Sequence, residues 1–215
     1  MIRWKDELLD LLYPTKCVLC RCRLQPGVPT ICPACRESMP RADSIRTRGD
    51  YFSECVSVLR YEGTVKEAIR RYKFGDAQAY CHAFGELVAA AIYAELDGRY
   101  DALSWVPLAP DRLHERGYDQ VELMALDVGK RLCVTPVPLL KKRRGVDPQS
   151  GTASKEERRA NIAGAYSLRT DAHPAGKRVL LIDDVVTTGS TLSECAKTLL
   201  IAGAEEVLCA TLAVA

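Results

Sequence analysis

The sequence predicts an α/β protein, a mainly parallel sheet flanked by helices and preceded by a small module with four paired cysteines. Three observations carry this. Val179 to Ile182 and Glu206 to Val214 are near-continuous apolar runs, the pattern of strands covered on both faces. Stretches with helical periodicity separate such runs, as in sheets whose neighbouring strands are joined by crossover helices. Two Cys-x-x-Cys pairs, Cys17/Cys20 and Cys32/Cys35, concentrate thiols in a segment too poor in apolar residues to fold alone.

At 215 residues and 47% hydrophobic, the chain is long enough for one full α/β core plus a smaller unit. The boundary falls near Tyr51, giving residues 1–50 (an amphipathic helix, the cysteine module and a linker) and 51–215 (the α/β domain). A net charge of +2 is too small to argue nucleic-acid binding by itself. Ten cysteines behind a start too polar for export point to a reducing compartment, so the expected location is the cytoplasm. No run approaches the roughly 20 residues that a membrane span requires.

Residues 4–13 carry Leu8, Leu9, Leu11 and Leu12 among charges and read as a short amphipathic helix ended by Pro14. Eleven residues separate Cys20 from Cys32. Four thiolates on two tight knuckles suit tetrahedral Zn²⁺, a closed structural site that supplies the folding energy the segment lacks. Cys17, Cys20, Cys32 and Cys35 are the expected ligands, with Cys22 placed to compete for a position; a redox pair and unligated buried thiols are the alternatives. Met39 to Gly49 is polar and unpatterned, as a linker is.

Cys55 to Tyr61 reads as a strand. Thr64 to about Tyr72 is then a helix with Val65, Ala68, Ile69 and Tyr72 on its apolar face, and an alanine-rich helix runs from about Gln78 to Leu96. Leu103 to Leu108 is a second buried strand. The charged stretch from Asp111 to Gln120 reads as a loop entering a helix near Gly117. It follows a strand, so Arg112 and Arg116 can face a ligand crevice and grip a pyrophosphate in bidentate fashion. Pro136 to Leu140 and Gly164 to Leu168 are short strands. Between them Lys141 to Asn161 has almost no apolar residue. Its seven Lys or Arg up to Arg159, against Asp147, Glu156 and Glu157, make the strongest local positive field in the chain, suited to polyphosphate or nucleic acid. Ser154 and Glu157 are spaced to cap a short helix there.

Asp183 and Asp184 stand where the central strand is expected to end. Thr187, Thr188, Gly189, Ser190 and Thr191 follow, offering hydroxyls, a glycine for a tight turn and the amides that open the next helix, which together make an anion seat. That helix runs from Thr191 to a stop at Gly203, and the spacing of Thr191 and Glu194 matches a capping box.

The stretch from Val179 to Thr191 resembles the signature of type I phosphoribosyltransferases. The resemblance implies that Asp183 and Asp184 hold the ribose hydroxyls of phosphoribosyl pyrophosphate (PRPP) and stabilise positive character on the sugar. Residues 187–191 then hold its 5′-phosphate, and Mg²⁺ accompanies it. Nearly the whole chain resembles one narrower family, the ComF competence proteins, in which a four-cysteine zinc module precedes a phosphoribosyltransferase-like domain. Tyr61-x-Gly63, Tyr72 to Asp76, Val106 to Leu108, Arg112, Arg116 to Gln120, Gln149, Ser150, Arg158, Asn161, Tyr166 and the Asp-Asp loop occur in the family's order. Asp119 stands where the family has Asn, a change that touches a loop hydrogen bond. The resemblance implies a role in natural transformation and DNA uptake, with PRPP or a nucleotide as ligand and single-stranded DNA and a DNA-uptake helicase as partners. Metabolic or salvage phosphoribosyltransferase activity and catalysis-free PRPP sensing are the alternatives. The residues name no acceptor, and with 7% aromatic residues no stacking platform is evident.

Overall fold

The computed structural model describes residues 15–25, 30–42, 46–75, 78–143 and 164–215. The helix expected over residues 4–13, the capped helix after Ser154 and most of the basic loop, including Arg144, lie outside these residues. A short helix α1 (Pro33–Ser38) closes the cysteine module. The main unit then runs β1 (Arg46–Thr47), β2 (Glu54–Arg60), α2 (Gly63–Phe74), α3 (Tyr80–Leu96), β3 (Ala102–Trp105), α4 (Pro110–Arg116), α5 (Gln120–Leu132), β4 (Leu140–Lys142), β5 (Tyr166–Leu168), β6 (Arg178–Val186), α6 (Ser190–Ile201) and β7 (Glu206–Val214).

The five-stranded sheet has the order β1-β2-β7-β6-β3, with β4 and β5 forming a separate two-stranded ribbon. Pairings β2–β7, β7–β6 and β6–β3 are parallel, and β1 adds an antiparallel edge. Because strand side chains alternate between faces, the apolar residues of β6 divide between two cores. Leu180 and Ile182 pack with α2, α3, α5 and the cysteine module, whereas Val179 and Leu181 pack with α6 and the β4–β5 ribbon. Burial on both faces explains why these strands are apolar without alternation.

Helix α2 buries Val65, Ala68, Ile69 and Tyr72, the face that its periodicity predicts. Several other elements differ from expectation. The stretch from Met39 to Gly49 is not a free linker: Ala42 N–H donates to Val58 O, Arg60 N–H donates to Pro40 O, and β1 pairs with β2. Its polar sequence suits an edge, where half the backbone and the side chains face solvent. The strand placed at Pro136 to Leu140 lies later, at Leu140–Lys142, since proline cannot donate to a ladder.

The N-terminal cysteine module shares a core with the main unit. Cys17, Val18, Leu19, Ile31 and Met39 belong to the same buried cluster as α2 and α3. Arg71 of α2 donates to Val18 O and Leu19 O at 2.8 and 2.9 Å, and Arg36 pairs with Glu86 at 3.0 Å. Among the described residues no helix is long and apolar enough to cross a membrane.

Candidate functional site

Strand β6 does not stop at Ile182. It continues to Val186 because β7 supplies backbone partners as far as Val214. Its other neighbour ends sooner: β3 finishes with Trp105 opposite Ile182, and the chain turns away through Val106 and Pro107. Past Ile182, β6 therefore has a partner on one side and open space on the other. Asp183 and Asp184 occupy that exposed edge, within the ladder and not in a turn beyond it.

The space is a cleft of about 350 Å³ lined by Asp183, Asp184, Lys73, Arg112, Arg116 and Thr191, among others. Both carboxylates are largely buried, at 9% and 6% exposure. Burial first, and the adjacent Asp184 second, push the Asp183 carboxyl up to about 8. Asp183 Oδ1 also accepts the Asp184 N–H at 2.8 Å. Asp184 Oδ1 is paired with Lys73 Nζ at 2.8 Å, and its Oδ2 accepts from Gln120 Nε2 at 3.1 Å. Burial works against the Lys73 ammonium more than any other single influence, but the charge and hydrogen bond of Asp184, together with Asp183, turn the net shift upward. Gln120 Oε1 in turn accepts from Arg116 Nη1 at 2.9 Å, so one relay runs from Lys73 through Asp184 and Gln120 to Arg116.

The two arginines sit on a helix, not in a loop. Pro110 opens α4, Gly117 ends it in the left-handed conformation at φ 74°, and Asp119 caps the next helix. The glycine marks a helix end where the sequence reading placed a helix start. Asp119 uses both carboxylate oxygens: Oδ1 accepts from Val121 and Glu122 N–H, and Oδ2 accepts from Leu108 N–H at 2.8 Å. An Asn has one acceptor oxygen and could not serve both groups in this pose. This aspartate thus ties the turn after β3 to the start of α5.

At the hydroxyl-rich elbow Gly189 has φ 73° and takes the N-cap position of α6. That places Thr191 inside the first helical turn, so the expected capping box does not form. Glu194 instead accepts the N–H of Gly164 at 2.6 Å. Thr188 Oγ1 and Ser190 Oγ share a hydrogen bond at 2.8 Å, Thr187 is exposed, and Thr191 reaches the cleft. Of the predicted site residues, Asp183, Asp184, Arg112, Arg116 and Thr191 line one cavity, while Thr187, Thr188, Gly189 and Ser190 form the loop leading into its helix. Sequence reasoning missed Lys73, Gln120 and Tyr166 as cleft residues, and treated Lys142, which also lines it, only as part of a basic loop. Lys73 carried no local signal: three residues after Arg70 and seven after Lys66, it continues the basic face of α2.

In the cysteine module the sulfurs of Cys17, Cys20, Cys22 and Cys32 all lie within 4.8 Å of one another. Cys20 Sγ and Cys32 Sγ are 3.8 Å apart, the edge expected of a tetrahedron with Zn–S bonds of about 2.3 Å. Backbone N–H groups of Cys32 and Cys35 point at Cys17 Sγ and Cys32 Sγ, each at 3.4 Å, as they do where sulfur carries negative charge. The donor set fits a metal ion, structural zinc above all. Cys35, predicted as a ligand, lies against the same group, its thiol in contact with those of Cys20, Cys32 and Cys17, and Cys22, weighed as a competitor, is within it. Cys22 reaches the group for a local reason: Arg21 takes φ 67° and Cys22 O accepts the N–H of Cys17, which folds Cys22 back over the first knuckle.

Comparison with known proteins bears on this geometry. The phosphoribosyl transferase domain family matches residues 123–214, from α5 to the end of β7. Competence protein F of Haemophilus influenzae is 27% identical over 215 aligned residues, covering 89% of this chain and 93% of its own. Competence protein ComFC of Bacillus subtilis is 29% identical, covering 93% of this chain and 83% of its own. The chain belongs to the ComF family. DNA utilization protein YhgH of Escherichia coli is a further relative of this ComF protein, 27% identical over 94% of the chain and 100% of its own length. The present chain is a competence-related protein whose main domain has the type I phosphoribosyltransferase fold.

Proposed function

We propose that the cleft of this ComF protein binds PRPP, or a closely related phosphorylated ribose, together with Mg²⁺, and that the protein works in natural transformation on or near incoming single-stranded DNA in the cytoplasm. One observation supports this most: paired carboxylates, a lysine, two arginines and the first turn of α6 converge on a single cavity. A sugar's vicinal hydroxyls need acceptors, and Asp183 and Asp184 supply them. Phosphate oxygens need donors, and the 187–191 elbow with the α6 amides supplies them on one side while Arg112, Arg116 and Lys73 do so on the other.

Mg²⁺ would need no protein cage of its own; Asp183 and Asp184 are the carboxylates placed to hold it through its waters, and it would offset the negative charge of the phosphate groups. Asp184 exchanges the Lys73 ammonium for ribose hydroxyls as the ligand enters, leaving Lys73 for an anionic group. With an acceptor present, the same geometry suits displacement of pyrophosphate at the anomeric carbon, where Asp183 and Asp184 favour the developing positive charge. The match to the phosphoribosyl transferase domain favours this as a second reading, a transferase of nucleotide metabolism or salvage.

Calorimetric titration of PRPP with Mg²⁺ is the test. The Asp183→Asn, Asp184→Asn variant should lose at least ~10-fold in affinity, as expected for two lost acceptor groups worth about 1 kcal/mol each; unchanged affinity rejects the ligand assignment. For the DNA role, binding of single-stranded DNA should weaken steeply with salt and on neutralising Lys141, Lys142 and Arg143. Indifference to both rejects it. Release of pyrophosphate with a nucleobase or an amine would favour the transferase.

A further inference from the structure

Tetrahedral zinc takes four sulfurs, and the cysteine module gathers five. The sulfurs of Cys17, Cys20, Cys22 and Cys32 lie within 4.8 Å of one another. The thiol of Cys35 stands outside that set, against those of Cys20, Cys32 and Cys17. Cys17, Cys20 and Cys32 are thus common to two sets of four, one completed by Cys22 and the other by Cys35. Backbone N–H groups support the shared three: that of Cys32 points at Cys17 Sγ and that of Cys35 at Cys32 Sγ, each at 3.4 Å, and that of Cys22 points at Cys20. The two remaining thiols differ in their access to water. Cys35 is 9% exposed on α1 and belongs to the main core cluster, whereas Cys22 is exposed, as is Cys20. The backbone fixes Cys22 in place. Its carbonyl accepts the Cys17 N–H at 2.9 Å, Arg23 bridges to Lys16, and its thiol meets those of Cys20 and Cys32.

We propose that Cys22 is a redox-sensitive modification site, a resolving thiol that forms a disulfide with Cys20 when the zinc-loaded module meets a peroxide. The inference rests on zinc in this module and goes beyond it in giving the fifth sulfur a task. A structural zinc site is closed to water, which selects the buried Cys35 as fourth ligand and leaves Cys22 over. Oxidation of a sulfur follows its exposure, which selects Cys20 ahead of the buried Cys17 and Cys32. Attack of the Cys20 thiolate on the peroxide breaks the O–O bond, giving a sulfenic acid and hydroxide. The Cys22 thiol then attacks that sulfur, and its S–H proton leaves with the displaced hydroxyl as water. One S–S bond is formed, the two sulfurs give up two electrons in all, and the peroxide is reduced to hydroxide and water. Cys20 is then no longer a thiolate ligand, so the metal keeps three sulfurs and is held less firmly.

The test uses the zinc-loaded, full-length protein. Iodoacetamide under native conditions should alkylate Cys22 ahead of the other four cysteines of the module. Limiting hydrogen peroxide should release zinc, read with a chromogenic chelator. It should also join tryptic peptides 17–21 and 22–23, with fragmentation placing the bond at Cys20. Cys22→Ser and Cys22→Ala should each bind as much zinc as wild type and lose it to peroxide several-fold more slowly. A Cys22 variant that binds less zinc places this sulfur among the ligands and overturns the proposal, as does peroxide-driven release at the wild-type rate. In the wild type itself, a disulfide that leaves out Cys22 overturns it whatever the variants do. Zinc absent from purified wild type would overturn the metal reading, and the proposal falls with it.

Discussion

Replacing Lys73 by methionine tests whether the ion pair at the cleft organises the apo site. Lys73 Nζ sits 2.8 Å from Asp184 Oδ1, with the two side chains 23% and 8% exposed. At an effective dielectric constant near 20 the Coulomb term at this distance is about 6 kcal/mol. Much of it is offset by the cost of desolvating the ions. Removing one member of a buried pair typically costs about 3–5 kcal/mol, because the other charge is stranded. Here the lysine keeps access to water and Gln120 still donates to Asp184, so we expect a loss of about 2–3 kcal/mol. For a chain of 215 residues that lowers the melting temperature by roughly 4–12 °C. Thermal melting followed by circular dichroism at pH 7.5 reads this directly. The decisive comparison is the double variant Lys73→Met, Asp184→Asn, in which no charge is stranded. It should recover at least ~1 kcal/mol relative to the sum of the single changes. A methionine variant that melts with wild type, or losses that simply add, would refute the argument that Lys73 serves Asp184.

Two further outcomes follow from the same geometry. Asp183 is held above its ordinary value, up to about 8, by burial and then by Asp184. A raised folded value means that its contribution to stability is complete below about pH 4 and is lost as pH climbs towards 8, at up to about 1.4 kcal/mol per unit. Urea midpoints at several pH values should show this decline in wild type and a flatter profile in Asp183→Asn; parallel profiles would refute it. In the cysteine module, one zinc per chain should be found by elemental analysis. Stripping it with a strong chelator should lower the melting temperature of the whole protein and not only of a detached segment, since Val18 and Leu19 share the main core and Arg71 binds their carbonyls. Two separate transitions would contradict that coupling.

How much of this was legible beforehand depends on the range of the interaction. The apolar strands, the buried face of α2, the thiol clustering and the Asp-Asp elbow are properties of neighbours in the chain. Burial on both faces writes a strand as an apolar run, and a tight turn writes itself as glycine. Reading such local rules put Asp183, Asp184, Arg112 and Arg116 in one site before any coordinates. The same rules erred where a second element decides the outcome. Asp183 and Asp184 look like the end of a strand, yet β7 keeps β6 extended beneath them. Thr191 and Glu194 have capping-box spacing, yet Gly189 takes the cap and Glu194 turns to Gly164.

By itself, then, the order of amino acids determined which segments become strands and helices, that the thiols gather, and which acidic and basic groups are available to a ligand of the cleft. Only the tertiary structure decided that Lys73, more than one hundred positions before Asp184, would hold it. It likewise decided that Cys22 would join the thiol group, and that Phe74 would stand uncovered beside the cleft. The reason is physical: periodicity and turn chemistry are written in short range, whereas the partner of a buried charge and the exposure of a ring are set by whichever distant segment packs against them.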